Sequence, residues 1–519
     1  MNEYGAIATG HPETSGAAAI ILRQGGNAFD AALGAMLAAC ITEPVLNSLG
    51  GGGFLLASPS EGKPVLYDFF AQTPRQRREE RDSDFHSAKC NFGTVEQEFH
   101  IGMASLATPG VAKGLFEVHA DLGKMPLKQI IEPALRLARL GIKINPLQAY
   151  IFDVVKNIFL SSGPSCQLYA SRADSASTLK EGEIFTNPAF ADTLEVLIEE
   201  GESLFYRGEI AAKISQDCRE GGNLTREDFA GYQLKRREPL TVNYAGARIL
   251  SNPPPSTGGI LVAFALHLLE KNGLDPSQNG SIEHLGLLTR AMAQTNKARI
   301  DSQLHELSGH LAMNALFDPQ FIDLYRNKVL GRPQSLNGTT HISVIDASGN
   351  AVSLTLSNGE GAGYIVPGTG IMMNNMLGEE DINPHGFHKW PVDTRMASMM
   401  APTMVFPQDG RHVALGSGGS NRIRTAILQT LVNLLDLGMP IEEAIYAPRL
   451  HYERGLLNIE PGFKPKALEV LLDEYPKNKL WGDRNMFFGG VHGVSYYPDT
   501  NHFEGAGDPR RGGSFQIVS

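Results

Sequence analysis

The sequence predicts an α+β fold, a four-layer αββα sandwich assembled from two consecutive segments, residues 1–338 and 339–519. Three observations carry this reading. Two helical patterns precede the first strand, and the stretch from about Leu127 to Leu304 is mainly helical. After Thr339 the chain turns to strands and glycine-rich turns, with one clear helix, Thr425–Leu437, suited to packing across a sheet. Length alone would suggest three or four domains for 519 residues, but a large sandwich absorbs such a chain in one unit.

Each element has its local reason. Ser15–Gln24 reads as a helix stopped by Gly25-Gly26, and Asn27 caps a second helix through Cys40 with Asp30 in its first turn. Gly50–Gly53 gives a flexible lead-in to the strand Phe54–Ala57, and Val65–Phe70 is the return strand. The four glycines are not a phosphate loop, because no Gly-Lys-Ser/Thr follows; close backbone packing is their role. Pro126 and Pro133 are placed as helix starters, and a long amphipathic run begins at Ile282. Pro253-Pro254-Pro255-Ser256-Thr257-Gly258-Gly259 is a rigid turn into the apolar helix Ile260–Leu269. Ile342, Val344 and Ile345, then Ala351–Leu356, read as a hairpin around Ala347-Ser348-Gly349-Asn350.

Composition bounds the function. Hydrophobic residues at 42% and charged ones at 19% allow a large core. A net charge of −11 repels nucleic acid and anionic membrane alike. Arg75, Arg77 and Arg78 run straight into Glu79, Glu80 and Asp82, a pattern expected of a solvated loop. Cys40, Cys90, Cys166 and Cys218 have neither metal-ligand nor disulfide-scaffold spacing, so no metal or cofactor is expected, and Cys40 reads as a small buried hydrophobe. The N-terminus has no basic and apolar leader, and no stretch approaches the roughly 20 apolar residues of a membrane span; the expected location is cytoplasmic.

Chemistry enters at Asn337-Gly338-Thr339-Thr340, at the head of the hairpin. A threonine hydroxyl needs a base, and few lie closer than the α-amine of the same residue, which with a pKa of roughly 7.7–8.0 is partly neutral near pH 7. One residue then carries nucleophile and base, provided the Gly338–Thr339 bond is broken first. His341 is not needed for this and reads as structural.

The motifs that follow come in a set order: Pro367-Gly368-Thr369-Gly370, Asn374-Asn375, Ala401-Pro402-Thr403, Gly416-Ser417-Gly418-Gly419-Ser420-Asn421-Arg422, Ala447-Pro448-Arg449 and Gly507-Asp508-Pro509-Arg510. Upstream stand Gly25-Gly26-Asn27-Ala28-Phe29-Asp30, Leu49–Phe54, Ala107-Thr108-Pro109-Gly110 and Leu137-Ala138-Arg139-Leu140-Gly141. This succession resembles the γ-glutamyltranspeptidase family of N-terminal-nucleophile hydrolases over nearly the whole chain. The resemblance implies self-cleavage before Thr339, large and small subunits from one precursor that remain bound and pair into a dimer, and a small-molecule γ-glutamyl or related amide substrate.

It also implies roles. Thr339 is the nucleophile, Gly419 and Ser420 supply oxyanion N–H groups, and Ser357 stands for a threonine that hydrogen-bonds near the nucleophile. Asn358, Glu379 and Ser398 are substrate-binding candidates, Glu379 for an α-ammonium. Phe70 departs from the pattern, since it stands where the family has the arginine that binds the α-carboxylate; Met376 and Met399 likewise replace polar contacts. Either Arg75 or another arginine must then reach in, or the acyl group lacks that carboxylate. Three readings are therefore expected in order: a γ-glutamyltransferase or glutathione hydrolase-like enzyme, an amidase of cephalosporin-acylase type acting on a less zwitterionic acyl group, and a non-catalytic binder that kept the fold.

Overall fold

Alternation along the strands sorts side chains onto two faces, and the layers follow from it. The computed structural model describes residues 3–91, 96–270, 274–301, 338–383 and 385–519; Asn337 and Leu304, used above, lie outside them. Ile7, Leu55, Ala57, Ile342, Val344, Val352 and Leu354 join one core, against the N-terminal helices. Their neighbours Ala6, Ala8, Phe54, Leu56, Ile345 and Ala351 join the other, between the sheets. Period-two patterning of this kind lets one strand bury both faces.

The first sheet has seven antiparallel strands in the order Ser514–Val518, Gly5–Thr9, Thr340–Asp346, Ala351–Ser357, Gly52–Ser58, Val65–Phe69, Lys235–Arg237. The second has six: His502–Gly507, Gly490–Tyr497, His412–Gly418, Thr403–Phe406, Ala247–Ser251, Leu240–Tyr244. Helices Pro12–Arg23 and Ala28–Thr42 cover the first sheet, and Arg422–Leu435 and Ile441–Tyr446 cover the second. The four layers are those expected. In the first sheet the two sequence segments interleave, because Gly5–Thr9 lies between Ser514–Val518 and Thr340–Asp346.

Local signals behave as read at several points. Asn27 and Asp30 form a reciprocal capping box at the start of Ala28–Thr42. His341 is fully buried between the sheets, its ring nitrogens 2.8 Å from Thr355 Oγ1 and 2.9 Å from Ser343 Oγ, and burial keeps it neutral. A Cβ at Gly416 would meet His341 Cε1 at 2.3 Å, so glycine there sets how closely the sheets approach.

Three readings are corrected. The helical stretch after Leu127 is interrupted by the strands Lys235–Arg237, Leu240–Tyr244 and Ala247–Ser251. Leu240, Val242 and Tyr244 alternate inward with exposed Thr241 and Asn243, and the two-residue turn has both Ala245 (φ 46°) and Gly246 (φ 77°) left-handed. Such turns normally advertise themselves as Asn-Gly or Asp-Gly, and alanine hides this one. The arginine cluster is pinned rather than merely solvated, most firmly at Arg78, which donates to Gly222 O at 2.6 Å and Arg219 O at 2.8 Å, beyond the end of helix Glu209–Asp217. Met399 is separated from Phe70 and Met376, which share the inter-sheet core, and packs instead with Leu240, Ile260 and Phe264. Cys40, Cys90 and Cys218 are buried free thiols. Among the described residues no helix is long and apolar enough to cross a membrane, and no cluster of metal ligands occurs.

Candidate active site

Strand pairing fixes where the junction lies. Thr340 is opposite Leu356, so Thr339 sits beside Ser357 at the end of two central, paired strands. Thr339 is 4% exposed, and its Oγ1 donates to Gly338 O at 2.8 Å. Ser357 Oγ donates to the same oxygen, also at 2.8 Å, and accepts from Gly359 N at 3.1 Å. Two hydroxyls thus converge on one peptide carbonyl, the one that precedes Thr339.

Two buried carboxylates that the sequence reading missed frame this peptide. Gly338 N–H donates to Glu360, and Thr340 Oγ1 donates to Glu43 Oε1 at 2.7 Å. Arg511, also missed, donates from Nη1 to Thr339 O at 3.4 Å. Burial pushes Glu43 up to about 7, opposed by the Thr340 hydroxyl and by Arg511. It pushes Glu360 up to about 8, opposed by the Gly338 N–H and Arg511. Desolvation exceeds the attraction in both because the carboxylates are removed from water while the guanidinium is shared.

These shifts have a sign. A carboxyl whose folded pKa is raised holds its proton in the folded chain after the unfolded chain has lost it, so its stabilisation is complete below 4.5 and drains away as pH rises to about 8. His11, His284 and His492, lowered to about 4 by burial, act oppositely but only below their ordinary 6.5. Between pH 6.5 and 8 the melting temperature should therefore fall, each carboxyl contributing at most about 1.4 kcal/mol per pH unit. Thermal melts of Glu360→Gln across that window should show a visibly shallower slope; an unchanged slope would assign the carboxyl an ordinary pKa.

The glycine turn lies against the junction. A Cβ on Gly418 would meet Thr339 O at 2.1 Å, and one on Gly419 would meet Arg511 Nη2 at 3.1 Å. Gly419 (φ 118°) and Ser420 (φ 51°) are both left-handed, a conformation that turns successive N–H groups to one side before helix Arg422–Leu435. Neither N–H is taken by another group among the described residues. Ser420 Oγ donates to Asp381, so the acidic run is partly drawn into the site rather than wholly solvated.

The remaining candidates divide. Asn358 is fully buried with neither side-chain polar atom hydrogen-bonded among the described residues, and Glu379 is buried nearby, where a Cβ on Gly359 would meet Glu379 Oε1 at 2.2 Å. Ser398 instead serves its own loop, accepting from Met400 N at 3.1 Å. Phe70 is 1% exposed and stacks on Phe54 at 5.3 Å. Arg75 does not fill the gap it leaves: it pairs with Asp393 at 3.5 Å, half exposed. The arginines that reach the junction are Arg511 and Arg422, which with Gly338, Glu360, Val154 and Trp481 line a narrow cleft.

Comparison with known proteins is consistent with this geometry. The family model for Gamma-glutamyltranspeptidase matches residues 14–518. Glutathione hydrolase proenzyme of Escherichia coli (strain K12) is 30% identical, the alignment covering 94% of this chain and 87% of that protein. Acylase ACY 1 proenzyme of Pseudomonas sp. (strain SE83) is 29% identical over 95% of this chain and 90% of its own. The crystal structure of cephalosporin acylase from Bacillus halodurans shares the fold, with a TM-score of 0.85 at 24% identity, covering 99% of this chain and 96% of that one.

Proposed function

The chain belongs to the γ-glutamyltranspeptidase family, and from that premise we propose that it is a γ-glutamyltransferase or glutathione hydrolase-like enzyme that frees its own nucleophile, Thr339. The observation that carries this is the Gly338 carbonyl held between the hydroxyls of Thr339 and Ser357. Attack of Thr339 Oγ1 on that carbonyl carbon forms an ester and breaks the Gly338–Thr339 amide, the hydroxyl proton ending on the new amine. Water then hydrolyses the ester and leaves residues 1–338 and 339–519 as bound subunits. Ser357 steadies the oxyanion of this step. Removing one such donor costs about 10²-fold, so Ser357→Ala should slow the appearance of two fragments on a denaturing gel by roughly that factor.

In turnover the free amine takes the hydroxyl proton while Oγ1 attacks the substrate amide. Gly419 and Ser420 N–H groups hold the oxyanion, and the leaving amine departs with the proton. Water or an amine then resolves the acyl-threonine. A second reading, an amidase of cephalosporin-acylase type, is favoured by one observation: Phe70 and Met376 are core residues, so the amino-acid head-group contacts of the family are absent there. Glutathione, γ-glutamyl-p-nitroanilide and a glutaryl amide separate the two. Turnover of the last with neither of the first two would replace the leading reading by the second.

A further inference from the structure

The cleft beside the junction holds two cations that nothing among the described residues fully satisfies. Arg422 is 1% exposed; its Nε donates to Phe487 O at 3.2 Å, its guanidinium lies over the Phe487 ring, and its Nη2 has no hydrogen-bond partner. Among the described residues the Arg511 side chain makes only long contacts, 3.4 Å to Thr339 O and 3.4 Å to Met486 O, and its Nε has none. The carboxyl that lines the same cleft, Glu360, is engaged by Gly338 N–H. The other walls include Leu46, Val154 and Trp481, which are apolar.

A buried guanidinium with an idle donor is costly unless something arrives to use it. A planar oxyanion matches its fork, and the apolar walls match a hydrocarbon stem. We propose that this cleft is the acyl-group pocket, and that Arg422 and Arg511 together bind a carboxylate carried by the acyl group, in place of the arginine lost at Phe70. The assignment rests on the amide-cleaving reading above, because it places the anchored group next to Thr339. Burial pushes Glu360 up to about 8, which weakens its compensation of Arg511 from within the cleft. Outside the lining, Asp381 and Glu453 face Arg422, while Asp508 and Glu43 face Arg511. They temper the field without occupying the idle donors.

The test compares glutaryl-p-nitroanilide with butyryl-p-nitroanilide, of similar stem but without the acid. The processed protein should prefer the glutaryl substrate by at least tenfold in kcat/KM. Arg422→Gln should collapse that preference tenfold or more, chiefly through KM, and Arg422→Lys should restore part of it. Equal loss on both substrates, or a native preference for butyryl, would overturn the assignment. Calorimetric titration with glutarate keeps the two proposals apart. Arg422-dependent glutarate binding in a protein that cleaves neither of these anilides nor γ-glutamyl-p-nitroanilide supports the pocket and sinks the enzyme reading. Cleavage of the anilides with no arginine-dependent binding or preference sinks the pocket alone.

Discussion

Thr339→Ala is expected to remain a single chain of about 56 kDa on a denaturing gel however long it is incubated, and its amide turnover to fall by on the order of 10⁴-fold or more, as for removal of other covalent nucleophiles. The fold is not the cause. The Thr339 side chain makes one hydrogen bond, to the carbonyl immediately before it, and losing a bond of that kind costs about 1 kcal/mol. The strand that follows keeps its ladders on both sides, to Gly5–Thr9 and to Ala351–Ser357. A melting temperature within a few degrees of the unaltered chain, together with an intact mass showing no break after Gly338, is the expected pair of readings. A variant still cut at that bond would remove Thr339 from the chemistry.

Gly418→Ala should produce the second large effect. The added methyl would stand 2.1 Å from Thr339 O and 2.9 Å from Thr339 C, both backbone atoms of a buried, paired segment. Neither can swing aside as a side chain end would, so the turn carrying Gly419 and Ser420 must move. If these N–H groups hold the oxyanion as proposed, displacing them by even an ångström would forfeit most of an electrostatic contribution worth about 10²- to 10³-fold in kcat. Self-cleavage and turnover should both fall by that factor in single-turnover assays. Gly482→Ala is the matched control, since a Cβ there meets nothing within 4 Å; its rates should stay within about twofold. Equal loss in both variants would trace the effect to general destabilisation.

Local chemistry explains which features were legible in the chain. The capping box at Asn27, the hairpin after Thr339 and the helix before Leu437 each declare themselves within a few residues, and all three are found where expected. The strand pair around Ala245-Gly246 was hidden because its turn lacks the usual asparagine or aspartate. The site divides the same way. Thr339, Ser357, Gly419 and Ser420 belong to motifs that can be read in order. Glu43 is 297 residues from its partner Thr340, and only folding brings it there. Arg511 follows the Gly507–Arg510 motif directly, a signal that was present but unused.

The position of Gly5–Thr9, hydrogen-bonded on one side to Ser514–Val518 and on the other to Thr340–Asp346, would determine what became of the molecule were the bond before Thr339 cut as proposed. The two polypeptides would be woven through one fabric rather than apposed across a surface. They could part only by melting, and the midpoint of that transition would then shift with protein concentration, as for any obligate heterodimer. Renaturation from purified halves would be second order, whereas the uncut precursor needs no encounter, so a single-chain birth is the simplest route to this weave.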